Sequence, residues 1–172
     1  NGRAIRRMPG GRVYYLTRKV GEPQFKLALR ETLDGAERIL VDPQELARAT
    51  GVPHAINHYA PSWDGRTLAY GISSGGSENA SLYLLDVATG RALGKPIPRV
   101  VETPHWAPDS RHLAYNQLRD LGGDAPETER YLDATVFLLD TKQPDAPTRP
   151  LFGPLVDKSM ALDRLDFAEV FF

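Results

Sequence analysis

The chain has 172 residues, enough for one domain with a real core or for part of a larger one. Hydrophobic residues make up 41% and charged residues 25%, and 21 basic and 22 acidic side chains are interspersed to a net charge of −1. That balance reads as an ordinary globular protein, without the basic patch of a nucleic-acid binder or an acidic solvating tail. No apolar run is long enough to span a bilayer, and the absence of cysteine excludes disulfides and thiolate metal sites while leaving cytoplasm and periplasm both open. Nothing in the composition calls for a cofactor, a resident metal, nucleic acid or a membrane.

In chain order, the first apolar segments are GRVYYL at 11–16 and FKLAL at 25–29, both of strand type. DPQELARATG follows, with Asp42 at an N-cap, Pro43 at N1, Glu45 at N3 in a capping-box arrangement and Gly51 as the stop. It predicts one short helix, a connector. DGRTLAY at 64–70 then reappears forty-five residues on as DSRHLAY at 109–115. Each copy is followed by a second apolar strand ending in aspartate, LYLLD at 82–86 and VFLLD at 136–140, the second after a longer insert around RDLGGDAPETER. Gly11–Leu16 and Phe25–Leu29 stand as a worn first copy, GRVYYL for GRTLAY and FKLAL for LYLLD.

Each unit reads as four antiparallel strands in about 45 residues, joined by Asp-Gly or Asp-Ser turns and glycine-rich hairpins, which is one β-propeller blade. The expected fold is all-β, a partial propeller of about three four-stranded antiparallel blades with one short connecting helix. Blade equivalents fall at roughly 5–42, 54–97 and 99–153 of a single incomplete segment, with 154–172 starting the next blade. Propellers close with four to eight blades, so an open arc with raw edges is expected, and those edges could support self-association. The start at Asn1 and the apolar end DFAEVFF fit a processed product or a piece of a longer chain.

Gly71-Ile72-Ser73-Ser74-Gly75 matches G-x-S-x-G, the frame of a serine nucleophile elbow. An elbow needs a strand, a strained turn and then a helix, whereas GGSENASLYLLD offers turn formers and another β run. Downstream histidines, His105 and His112, lie inside the next repeat. Ser73 is therefore read as a hairpin turn residue, and a stand-alone hydrolase using it is a minor alternative. His54 and His58 are four apart and on a regular strand would share a face, so they could meet a metal, but no third ligand of matching spacing accompanies them. Asp120, Asp124, Glu127 and Glu129 in the insert lack the spacing of a calcium loop and read as a solvated surface loop, with partner contact as the other option. Trp63, Trp106, Tyr70 and Tyr115 recur at equivalent or near-equivalent places, as inter-blade packing requires.

LAYGISSGGSE at 68–78, DVATGRAL at 86–93 followed by IPRV at 97–100, GRVYYLTRKVGEPQFKLALRE at 11–31 and ERILVDPQEL at 37–46 together resemble the propeller of the prolyl oligopeptidase family of serine peptidases. The resemblance covers roughly residues 5–153 and includes connectors as well as strands. It implies a seven-bladed propeller capping a C-terminal α/β-hydrolase domain of the same parent chain, which carries the Ser-Asp-His triad and cleaves short peptides, typically after proline. None of the triad maps onto this chain, so it implies no catalytic residue here and a propeller that gates and lines the substrate chamber. After IPRV the family often places an aromatic in the inner strand. This chain has VETPHW there, which makes Glu102 and His105 the candidate chamber-lining residues. A protein-interaction propeller without enzymatic activity, contacting partners through loops such as 119–131, is the alternative of a different class.

Overall fold

The structure, a computed structural model, describes residues 2–77, 79–122, 126–159, 161–168 and 170–172. Asp124 of the insert lies outside them. Strands β1 (Gly2–Arg7), β2 (Val13–Thr17), β3 (Lys26–Arg30) and β4 (Arg38–Val41) form one antiparallel sheet in that order. Helix α1 (Pro43–Thr50) leads into a second sheet, in chain order β5 (His54–Pro61), β6 (Thr67–Ser74), β7 (Ala80–Asp86), β8 (Ile97–Trp106), β9 (His112–Gln117), β10 (Thr135–Asp140) and β11 (Arg149–Phe152).

This second sheet is two blades that share a strand. The first part of β8 pairs with β7 through Leu82↔Ile97 and Ala80↔Val100. Its second part pairs with β9 through Val101↔Asn116, His105↔Ala114 and Trp106↔Leu113. Arg99 at φ 58° and Glu102 at φ 65° take left-handed backbone at the handover, where an extra bend re-aims the strand. Three four-stranded antiparallel units result, and the chain is all-β with one connecting helix: a partial β-propeller.

The Asp42 cap works through N2: its Oδ1 accepts from the Gln44 amide at 3.0 Å, and its Oδ2 takes Lys26 Nζ at 3.0 Å. Gly51 ends the helix at φ 75° and its amide donates to the Ala47 carbonyl, a conformation that costs glycine little.

Period-two alternation decides which blade each side chain meets. Leu68, Tyr70 and Ile72 of β6 pack with Tyr14, Leu16, Leu27 and Leu29 of the first blade. Ala69, between them, turns the other way and joins Leu82, Leu84, Leu113, Tyr115 and Leu139. Large residues thus face back and small ones forward, which leaves room for the next blade. Fully buried leucines such as Leu68 and Leu113 contribute roughly 1.5–3 kcal/mol each. The repeat is also visible in cross-strand rings: Tyr70 stacks on Tyr83 at 5.4 Å, and Tyr115 stacks on Phe137 at 5.8 Å.

The turns repeat in their hydrogen bonds. Asp64 Oδ1 accepts from the Arg66 amide and Asp109 Oδ1 from the Arg111 amide, both at 2.9 Å. Gly65 (φ 66°) and Ser110 (φ 56°) occupy the same left-handed position. The worn first copy aligns differently from the sequence expectation. Tyr14 pairs with Leu29 and Tyr15 with Ala28, as Ala69 pairs with Leu84 and Tyr70 with Tyr83. VYY therefore stands for LAY and LALRE for LYLLD, one and two residues away from the match made by letters. Cross-strand pairing is what the repeat preserves, and a glycine that slips along a turn leaves it intact.

Past β11 the described residues join no strand ladder. They run across the third blade instead: Asn116 Nδ2 donates to the Ala168 carbonyl at 2.7 Å, and the Arg164 guanidinium grips Asp133, with Nη2 to Oδ2 at 2.8 Å.

Candidate functional site

Three segments lie side by side, one from each blade: β1, β5 and the second part of β8. Tyr59 Oη of β5 donates to the Ala4 carbonyl of β1, and to that of Tyr14 at 3.1 Å. Trp106 Nε1 of β8 donates to the Ala60 carbonyl of β5 at 2.9 Å. Trp63, 52% exposed, donates its Nε1 to the Trp106 carbonyl at 3.1 Å, so both indoles bridge blades as expected from their recurrence. These three segments form the candidate wall, and two grooves run along it.

One groove, of about 390 Å³, is lined by Arg6, Pro61, Trp63, His105, Trp106 and Phe171, among others. The His105 ring meets the Phe171 ring edge-on, with centroids 4.7 Å apart. The other groove, of about 400 Å³, is lined by Asn57, His58, Val101, Glu102, Thr103 and Tyr131 among others. Glu102 is exposed and its Oε2 accepts from Asn116 Nδ2 at 3.3 Å. Glu102 and His105 therefore stand on the same strand but open onto different grooves, and share only a crevice of about 10 Å³. Their spacing is one reason: residues three apart on a strand point to opposite faces, and the irregularity between Val101 and His105 adds an even number of residues and leaves that alternation intact.

His54 and His58 do not share a face. A bulge between Ile56 and His58 inserts Asn57, so His54 pairs opposite Ser74 while His58 pairs opposite Gly71. An even count of residues becomes an odd shift of the pleat. His54 Nδ1 is engaged with the Val52 carbonyl at 2.7 Å. The His58 ring lies against Gly71, where an added Cβ would come within 2.2 Å of Nε2. Nε2 is buried without a hydrogen-bond partner, and burial pushes the imidazole down to about 4. No group of three or more metal-ligating side chains occurs among the described residues.

Ser73 is not in the turn. It is the seventh residue of β6, pairs opposite Ala55 and is 5% exposed. The hairpin begins one residue later, with Gly75 and Gly76 both left-handed and the Ser77 amide closing on the Ser74 carbonyl at 3.1 Å. A strand follows at Ala80, and among the described residues no imidazole hydrogen-bonds the Ser73 hydroxyl. The first glycine of the motif serves His58 and the last serves the hairpin.

In the insert, Asp120 pairs with Arg99 at 3.1 Å and Glu129 ends a single 3-10 turn at Glu127–Glu129. His58 was singled out only with His54, and Arg6 and Arg7 are wall residues that sequence reading did not single out. The only signal was local: two adjacent arginines in GRAIRRM with no nearby acid.

The wall offers guanidinium and carboxylate charge, aromatic rings and amide groups.

The sequence matches the family model for the prolyl oligopeptidase N-terminal β-propeller domain over residues 6–147. Among solved structures, a prolyl endopeptidase superposes with TM-score 0.75 at 23% identity, covering 87% of this chain and 22% of that one. Prolyl oligopeptidase B from Galerina marginata gives 0.71 at 16% identity, with 89% and 24% covered. A post-proline cleaving enzyme from Rickettsia typhi gives 0.62 at 12% identity, with 88% and 23% covered. The chain thus spans about a quarter of the length of these structures, and the shared feature is the fold. The bladed sheets and the family match over most of the chain together make it a member of the prolyl oligopeptidase family, formed from that family's N-terminal propeller domain.

Proposed function

We propose that this chain is a non-catalytic portion of the propeller of a prolyl-oligopeptidase-like serine peptidase, gating and lining the substrate chamber above a C-terminal α/β-hydrolase domain. The observation that carries the reading is the family match combined with a wall of adjacent strands whose side chains open onto two grooves. The triad belongs to the absent domain, and the parent cleaves peptides after proline there. Residues 154–172 begin the next blade of the intact ring, continuing blades at roughly 5–42, 54–97 and 99–153. Selection is steric: a walled chamber admits an extended chain and rejects a folded domain. The Galerina marginata relative is bound to a 35mer substrate, so a peptide of that length enters that enzyme.

Glu102 and His105 line that chamber in this proposal. In the full-length peptidase, Glu102→Ala and His105→Ala are expected to change KM for proline-containing peptides of ten or more residues about two- to tenfold, with dipeptide-sized chromogenic substrates unaffected. Unchanged kinetics at every length would remove both residues from the chamber.

A further inference from the structure

The wall is charged unevenly. β1 carries Arg3, Arg6 and Arg7 and no acid. Arg3 is spent on packing, with its guanidinium 3.9 Å over the Phe25 ring. Arg6 pairs opposite Tyr14, so it faces the second blade, where its guanidinium sits 5.7 Å from the Tyr59 ring. Among the described residues neither Arg6 nor Arg7 has a carboxylate partner, whereas Arg12, Arg38, Arg66, Arg99, Arg111, Arg119 and Arg164 all have one. Both line the 390 Å³ groove beside the exposed Trp63. A guanidinium that lines an aromatic-walled groove without an acid of its own is suited to take a planar anion, because its forked donors match a carboxylate. Phe171 of this chain lies at the groove's edge against the His105 ring and is still 69% exposed.

We infer that Arg6, with Arg7 beside it, receives a carboxylate of the peptide in the chamber, while Trp63 and Pro61 hold the neighbouring apolar side chain. The inference rests on the peptidase reading and adds a substrate class to it: peptides ending or flanked in negative charge. The carboxylate can be the C-terminus or an acidic side chain.

The test uses the full-length peptidase and four octapeptides with one internal proline. They differ only in a free or amidated C-terminus and in Glu or Gln at the residue before it. At low salt, the charged members should show kcat/KM roughly three- to tenfold above their neutral counterparts, with the difference shrinking as salt rises. The pair that responds tells which carboxylate is read. R6Q, and more fully R6Q/R7Q, should bring the ratio of charged to neutral kcat/KM to about one, and R6K/R7K should restore part of it. Wild type that cuts all four equally, or a preference that survives in R6Q/R7Q of unaltered melting temperature, overturns the inference alone. Failure of the full-length protein to cut any of them overturns the peptidase reading and this inference together.

Discussion

A single methyl group at Gly71 interrogates the closest packing in the wall. In Gly71→Ala the new Cβ would sit 2.2 Å from His58 Nε2, 2.4 Å from Cε1 and 2.8 Å from Cδ2, about an ångström inside ordinary contact. The ring is held on one side by the β6 backbone, so it must swing toward the groove shared with Asn57 and Glu102. Overpacking of this kind costs about 1–3 kcal/mol. With a urea slope near 2 kcal/mol/M for a chain of this size, the unfolding midpoint should fall by roughly 0.5–1.5 M. His58→Ala in the same background removes the overlapping ring, so the double variant should be more stable than Gly71→Ala. The coupling in the mutant cycle should be at least about 1 kcal/mol. The reasoning is refuted if the Gly71→Ala midpoint stays within about 0.2 M of wild type, or if the two losses simply add.

Further expectations follow from neighbouring geometry. Because burial holds His58 down to about 4 against about 6.5 in an unfolded chain, protons bind the unfolded state first. Stability should be full above pH 6.5 and decline by up to about 1.4 kcal/mol per unit as pH falls toward 4, and His58→Asn should flatten that window in acid titrations of the urea midpoint. Asp133→Ala removes a carboxylate that is 1% exposed and held below the usual range mainly by Arg164, so tryptic cleavage after Arg164 should speed several-fold, read by mass spectrometry. Trp106→Phe keeps most of the packing but loses the bond to the Ala60 carbonyl, and should cost about 0.5–1.5 kcal/mol in denaturant unfolding. Ser73→Ala should leave peptide hydrolysis by the full-length protein unchanged in initial-rate assays, since the residue is a buried strand position.

Much of the architecture is legible in the letters because it is local. Asp-Gly and Asp-Ser turns, the LAY and LLD strands and the Asp42–Gly51 helix each depend on backbone preferences or on side-chain periods a few residues long. They are found where expected. The reading of Ser73 went astray by one residue because a strand end and a hairpin start share composition, and only the ladder shows which residue leaves the sheet first. The pairing of His54 with His58 went astray for a related reason. A bulge has no fixed sequence signature, and one extra residue inverts every face beyond it.

The order of strands, the turn chemistry and the family are properties of the sequence alone, since they rest on short-range preferences and on a repeat that can be counted. Tertiary structure decided which residues meet: that His58 needs a glycine opposite it, that Glu102 and His105 open onto separate grooves, and that Arg6 faces one of them without an acid. Those outcomes depend on register and on blade-to-blade placement, and partners such as Arg6 and Tyr59 lie dozens of residues apart. No local pattern encodes such a distance. It exists only once the sheets have stacked.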